Sequence, residues 1–164
     1  MIQRIQSLFL LIAAIIPIIL IFMPIGWYSI ADAQYVFTPI ALKLNIPDVP
    51  AVELPTYYIA FCLALCSILT FVALFMFKNR VHQTRMVSIT MIIFLITLML
   101  MLWICPDIIF KKHFASKGVF IDTQYPFQFN YWILIFIIQA VCLFLANHFI
   151  KKDEAMVRAA DRLR

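Results

Sequence analysis

Residues 56–105 read "TYYIAFCLALCSILTFVALFMFKNRVHQTRMVSITMIIFLITLMLMLWIC". Two apolar runs, 56–77 and 86–105, flank the short polar stretch "KNRVHQTR" at 78–85. A bilayer-crossing helix needs about 20 consecutive, mainly apolar residues. Both runs have that length, and neither contains Asp, Glu, Lys or Arg. In lipid no water satisfies the backbone, so a spanning segment must hydrogen-bond internally, as a helix does. The stretch therefore predicts a helical hairpin in a membrane. Its turn carries Lys78, Arg80 and Arg85, and basic residues stay on the cytoplasmic side, so the turn is expected there.

Two further runs qualify on either side of this hairpin. Residues 7–30, "SLFLLIAAIIPIILIFMPIGWYSI", predict a first span, and 129–150, "FNYWILIFIIQAVCLFLANHFI", a fourth. The whole chain agrees: of 164 residues, 65% are hydrophobic and 13% charged, with a mean hydropathy of +1.01. Soluble domains average about 45–50% apolar and about 25% charged. Gly occurs only twice, and no strand-like alternation marks a transmembrane barrel. The expected fold is an all-α membrane protein, a four-transmembrane-helix bundle forming a single membrane domain over 1–164. "Ala31-Asp32-Ala33" has the look of a signal-peptidase site, but the preceding apolar run exceeds the about 7–15 residues of a signal core. The first run is read as a retained helix. Pro17 and Pro24 within it remove backbone donors and should kink it or end it early.

With both termini inside, the cytoplasmic side holds nine of the 13 Lys and Arg: Arg4, Lys78, Arg80, Arg85, Lys151, Lys152, Arg158, Arg162 and Arg164. This bias accounts for the net charge of +5 through topology, and no interleaved basic–aromatic patch suggests nucleic acid. Two connections of moderate length, 31–55 and 106–128, are then external. "YVFTPIALKL" and "GVFIDTQY" within them carry the β-branched and aromatic signal of short strands, which predicts a small hairpin or sheet; the competing reading is an irregular, aromatic-anchored loop. Trp27, Tyr28, Tyr57, Tyr58, Trp103, Tyr131 and Trp132 cluster near that boundary, as an interfacial belt would.

The chain closes on "FIKKDEAMVRAADRLR" (149–164), densely charged after a greasy body. At about 100° per residue, Lys151, Glu154, Arg158, Asp161 and Arg162 share one face. Ala155, Met156, Ala159, Ala160 and Leu163 share the other. Glu154 precedes Arg158 by four residues, the favourable order for a helical ion pair. Residues 151–164 thus read as an amphipathic cytoplasmic helix continuing the fourth span. It would serve as an anchor on acidic lipid, as a segment packed on the chain itself with Arg4, Arg80 and Arg85 as candidate intramolecular partners, or as a docking helix. Lipid anchoring does not need Asp153, Glu154 and Asp161, whereas docking through defined ion pairs does.

Three stretches, "MIQRIQSLFLL", "FKNRVHQTR" and "IKKDEAMVRAADRLR", together with four spans in this length, resemble an uncharacterised bacterial integral-membrane family known as domain of unknown function 4293. The resemblance covers essentially the whole chain. It implies a four-helix protein of the bacterial cytoplasmic (inner) membrane and brings no activity, substrate or cofactor. The polar positions matching the family are Gln3, Arg4, Gln6, Lys78, Arg80, Gln83, Asp153, Glu154, Arg158, Asp161, Arg162 and Arg164, all on one expected membrane face.

Chemistry is sparse. Ion-coupled pumps carry ionisable groups inside the membrane, and none lies well inside these spans. Gln139 is the most polar deep residue, with Thr70 and Thr97 as possible interhelical partners or as walls of a polar cleft. Cys62 and Cys66 lie one helical turn apart within lipid. A redox pair would be C-x-x-C, reachable and with a depressed thiol pKa. Cys105 and Cys142 are likewise in or beside apolar runs. His82, His113 and His148 are scattered, so neither a metal site nor any other cofactor is expected, and no catalytic residue is assigned. "DVPAVELP" offers Asp48 and Glu53 as ordinary loop acids. The expected function is a non-enzymatic accessory, scaffold or assembly subunit of a membrane complex. Its partners would be the bilayer, other membrane proteins or a second copy, with Arg4, Arg80, Arg85, Glu154, Arg158 and Asp161 as the contact set. Two alternatives stand beside it: a small-molecule or lipid carrier with a cleft beside the Pro-containing first helix, and a thiol redox protein using Cys62 and Cys66.

Overall fold

Each long helix buries one narrow stripe, in which small and polar residues are interspersed with large apolar ones, and leaves many further large apolar side chains facing outward. In α1 (Ile2–Phe22) the inward stripe is Leu10, Ala13, Ala14, Pro17 and Leu20. In α2 (Tyr57–Phe75) it is Ile59, Leu63, Cys66, Ser67, Thr70 and Ala73, and in α3 (Arg80–Met99) it is Gln83, Val87, Thr90, Phe94 and Thr97. In α5 (Leu134–Arg162), preceded by a single 3-10 turn at Tyr131–Ile133, it is Phe136, Gln139, Leu143, Ala146, Ile150 and Asp153. Spacings of three and four place each set on one helical face. Meanwhile Leu8, Phe61, Leu95, Ile137 and Phe144 are all more than half exposed. A water-soluble domain buries such residues; lipid, as apolar as they are, does not require it. The structure, a computed structural model, describes residues 2–30, 33–45, 51–77, 79–116 and 127–162.

Among the described residues three helical stretches are long and apolar enough to cross a membrane: Tyr57–Phe75, Arg80–Ser116 and Tyr131–Val157. The apolar part of α1, Gln6–Phe22, is shorter. The expected first span, 7–30, is therefore corrected at its end. The helix stops at Phe22, Pro24 follows, and Gly26–Ile30 form β1. Pro17 is accommodated within the helix. The third span is corrected in the other direction. It does not end at residue 105 but widens into a π-helical segment, Leu100–Phe110, containing Pro106, and runs on as α4 (Lys111–Ser116). A proline ring collides with the carbonyl four residues earlier, and the wider π turn moves that carbonyl away. Pro106 is thus passed rather than obeyed as a stop. The charged tail is helical as expected and unbroken from α5.

The expected sheet is present. Strands β1, β2 (Ala33–Phe37), β3 (Ala41–Leu44), β4 (Ala51–Pro55) and β5 (Gln128–Phe129) form an antiparallel sheet ordered β4-β3-β2-β1-β5. "GVFIDTQY" lies outside the described residues, as does Asp48. Antiparallel partners share a face, and the pairs Gly26↔Phe37, Tyr28↔Tyr35 and Phe37↔Leu42 put Tyr28, Tyr35, Phe37 and Leu42 on one side. That side packs on the extended third helix: Tyr28 and Phe37 meet Phe110 edge-on, and Tyr35 meets Phe114 with ring centres 4.8 Å apart. Gly26 is required where β1 passes β5, because a methyl group there would strike the Gln128 carbonyl and the Phe127 ring.

The aromatic belt is also corrected at one position. Tyr57, Trp103 and Tyr131 are exposed, as anchors would be, but Tyr28 is 1% exposed. Its hydroxyl donates to the Pro106 carbonyl at 2.8 Å, so it joins sheet to helix. Burial, assisted by the nearby Asp107 carboxylate, pushes its phenol above the usual range. Thr56, fully buried, secures the other end of the sheet. Its hydroxyl bonds the Thr38 and Pro39 carbonyls and its amide bonds Ile40, fixing the β2–β3 turn to the start of α2.

Candidate functional site: a polar seam at one end of the helices

The start of α1, the turn between α2 and α3 and the far part of α5 meet at one end of the molecule. Gln6 donates through Nε2 to the Phe149 carbonyl of α5 at 3.0 Å, and the Phe9 and Phe149 rings stack beside it, 5.9 Å apart. Gln83 reaches back from α3 to the Ala73 carbonyl of α2 at 3.0 Å. Arg80 joins α3 to α5. Its Nη1 donates to the Asp153 backbone carbonyl at 3.1 Å and lies 3.0 Å from Asp153 Oδ2. The second contact is close in charge but lacks hydrogen-bond alignment. Gln6, Gln83 and Asp153 are all buried.

These ties have a common logic. At low dielectric an unmet polar group is costly, and a carbonyl already bonded along its own helix keeps a second lone pair that can accept. Long amides and a guanidinium therefore serve the neighbouring helix. The same device recurs deeper: Ser67 donates to the Ala14 carbonyl at 2.7 Å, and Gln139 to the Ala13 carbonyl at 2.9 Å. Contacts of this kind link α1 to α2, α1 to α5, α2 to α3 and α3 to α5, which are the helix pairs that pack together.

Beside the seam lies a cleft of about 370 Å³ lined by Gln6, Ser7, Leu74, Phe75, Phe77, Arg80 and Gln83. An apolar groove of about 330 Å³ runs between α1 and α2 at Leu11, Ile15 and Ile68. A third hollow, of about 430 Å³, lies between β4 and the extended third helix at Leu54, Ile108 and Lys112.

The expected contact residues are placed unevenly. Arg80 is paired with Asp153 through Nη1. Arg85 is exposed and Glu154 half-buried. The side chains of Arg4, Arg158 and Asp161 lie outside those described. Ala155 and Met156, on the face opposite the charged one, are exposed, whereas Asp153 is buried. Asp153 was the residue to find. It stands three places after Ile150 and seven after Ala146, so it continues the buried stripe of α5.

Gln139, Thr70 and Thr97 are fully buried but do not bond one another. The threonines donate to carbonyls four residues back on their own helices, Cys66 and Ile93, a habit that satisfies a hydroxyl locally. None of the three lines a cavity described above. All four cysteines are free thiols; Cys66, Cys105 and Cys142 are buried and Cys62 partly so. Cys105 Sγ contacts the Tyr58 hydroxyl at 3.0 Å. Among the described residues no three His, Cys, Asp or Glu side chains gather in a metal-binding group. The described contacts of the seam hold helices together and present charge.

The family described as domain of unknown function (DUF4293) matches residues 2–163. No curated protein and no solved structure matches the chain.

Proposed function

The chain belongs to the DUF4293 family, and on that footing we propose that it is a non-catalytic accessory, scaffold or assembly subunit of a larger complex in the bacterial cytoplasmic membrane. In this reading α1 is a fourth span, the four helices form one bundle, and the polar seam faces the cytoplasm. The supporting observation is the geometry of α5. It runs unbroken from Leu134 to Arg162 and is pinned to α3 at Asp153. The charged segment thus continues the helix and is held against α3 at Asp153, which favours a ledge of fixed geometry over a loose tail adapting to headgroups. A rigid ledge with both signs of charge suits a protein partner, because fixed ion pairs select orientation and partner more than they add affinity.

The pinning role of Arg80 narrows the docking set to Arg4, Arg85, Glu154, Arg158 and Asp161. Charge reversal at these five, with Arg80 and Asp153 retained, should leave insertion and abundance normal and release the partner. The test is mild-detergent purification of the tagged chain from native membranes, read by mass spectrometry. A stoichiometric partner lost on reversal supports the proposal. A chain recovered alone in both forms defeats it.

A further inference from the structure

The cleft beside the seam has two unlike walls. Gln6, Ser7, Arg80 and Gln83 supply polar groups, and Leu74, Phe75 and Phe77 supply apolar surface. Phe75 and Phe77 are each about 60% exposed, at 62% and 60%, and Ser7 is exposed as well. The cleft sits where the 19-residue apolar helix α2 gives way to the polar turn, the depth at which headgroups lie against acyl chains. Its volume, about 370 Å³, falls within the about 300–1,000 Å³ typical of small-molecule sites.

Arg80 is the decisive side chain. Guanidinium carries five N–H donors in a planar fork that suits phosphate oxygens. Its described contacts to Asp153 all pass through Nη1. The donors on Nε and Nη2 are therefore not engaged by those contacts, on a side chain that is 24% exposed and lines the cleft. We propose that this cleft binds the phosphate-bearing headgroup of an anionic phospholipid, with Arg80 holding the phosphate and Phe75 and Phe77 flanking the first acyl carbons. Free inorganic phosphate shares the charge, but it would leave Leu74, Phe75 and Phe77 without a role. Asp153 competes with the lipid for the same guanidinium, which fixes the sign of one variant. The proposal does not depend on the protein-docking reading, since it is tested with no partner present.

The purified full-length chain in lipid-free dodecyl maltoside would be titrated with dioleoylphosphatidylglycerol, dioleoylphosphatidylcholine or inorganic phosphate. Lipid retention is read by native mass spectrometry and melting by thermal shift. The expected result is one phosphatidylglycerol retained about tenfold more tightly than phosphatidylcholine, with no response to phosphate. Ser7→Trp fills the cleft from an exposed position and leaves the Arg80–Asp153 pair intact; it should abolish the preference. Asp153→Asn should tighten phosphatidylglycerol binding severalfold. Equal retention of the two lipids, or a preference that survives Ser7→Trp, overturns the proposal. A phosphate response matching that of phosphatidylglycerol overturns its lipid part. Should Asp153→Asn fail to fold, wild type against Ser7→Trp decides.

Discussion

Gln139 has two unlike ends. Its Nε2 bonds Ala13 across the helix interface, while no described donor reaches its buried Oε1. An interhelical hydrogen bond in a membrane protein contributes about 0.6 kcal/mol on average, and an unmet buried acceptor costs about 1–3 kcal/mol. The two nearly cancel, or the cost wins. Gln139→Leu should therefore leave stability within about 1 kcal/mol of wild type or raise it, read as the unfolding midpoint on titrating dodecyl maltoside micelles with dodecyl sulfate. A strong loss would mean that Oε1 is solvated and the centre wet, which would revive the carrier reading. Gln139 was visible in the sequence as the deepest polar residue; its partner was not. Nothing in a run of Ile, Leu and Phe marks which backbone carbonyl lies opposite.

At the scale of elements, legibility followed length and composition, and failed where proline had to be interpreted. The 56–77 run became α2 at Tyr57–Phe75 because nothing within it interrupts the helix. Two prolines then behaved differently from a common rule. Pro24 lies just beyond the end of α1, where Gly26 and a run of aromatic and β-forming residues take the chain into a sheet. Pro106 sits among Trp, Ile and Phe, whose apolar continuation makes breaking the helix costlier than widening it. The sheet's strands were partly visible as β-branched and aromatic clusters, yet β1 was hidden inside a stretch greasy enough to pass for membrane helix. Widening has a consequence for packing. It sets the rotation at which Phe110 and Phe114 leave the helix, and these rings hold Tyr28, Tyr35 and Phe37. Pro106→Ala removes the reason for the π turn, so the segment should tighten and swing both rings off the sheet. Hydrogen–deuterium exchange should then show faster exchange at β1–β3 amides with protection of α2 and α5 unchanged. Unaltered sheet protection would show that the aromatic cluster, and not Pro106, imposes the π geometry.

For the molecule as a whole, the number of bilayer crossings turns on α1. The apolar part of α1, Gln6–Phe22, is at the lower end of the about 17–25 residues that span. At about 1.5 Å per residue it falls a few ångströms short of a hydrocarbon layer about 30 Å thick. Its contacts compensate. Gln6 meets Phe149 and Ala13 meets Gln139, so α1 runs antiparallel to α5 and enters at the depth of the polar seam. Ala14 meets Ser67 of α2 on the way. In the four-span reading proposed above, α1 is carried across with these two neighbours, and thinning of the bilayer or extension of flanking side chains absorbs the small mismatch. Four crossings put the first and last residues on one side and residues 46–50, between β3 and β4, on the other. Nine of the 13 Lys and Arg then lie on the terminal side, the arrangement that basic residues favour for a cytoplasmic face. Green fluorescent protein fused at either end should fluoresce, and alkaline phosphatase inserted at 46–50 should be active. A dark N-terminal fusion beside a bright C-terminal one would reduce the crossings to three. It would also remove Arg4 from the docking set, while the Arg80–Asp153 pair would keep α3 and α5 joined at the same end.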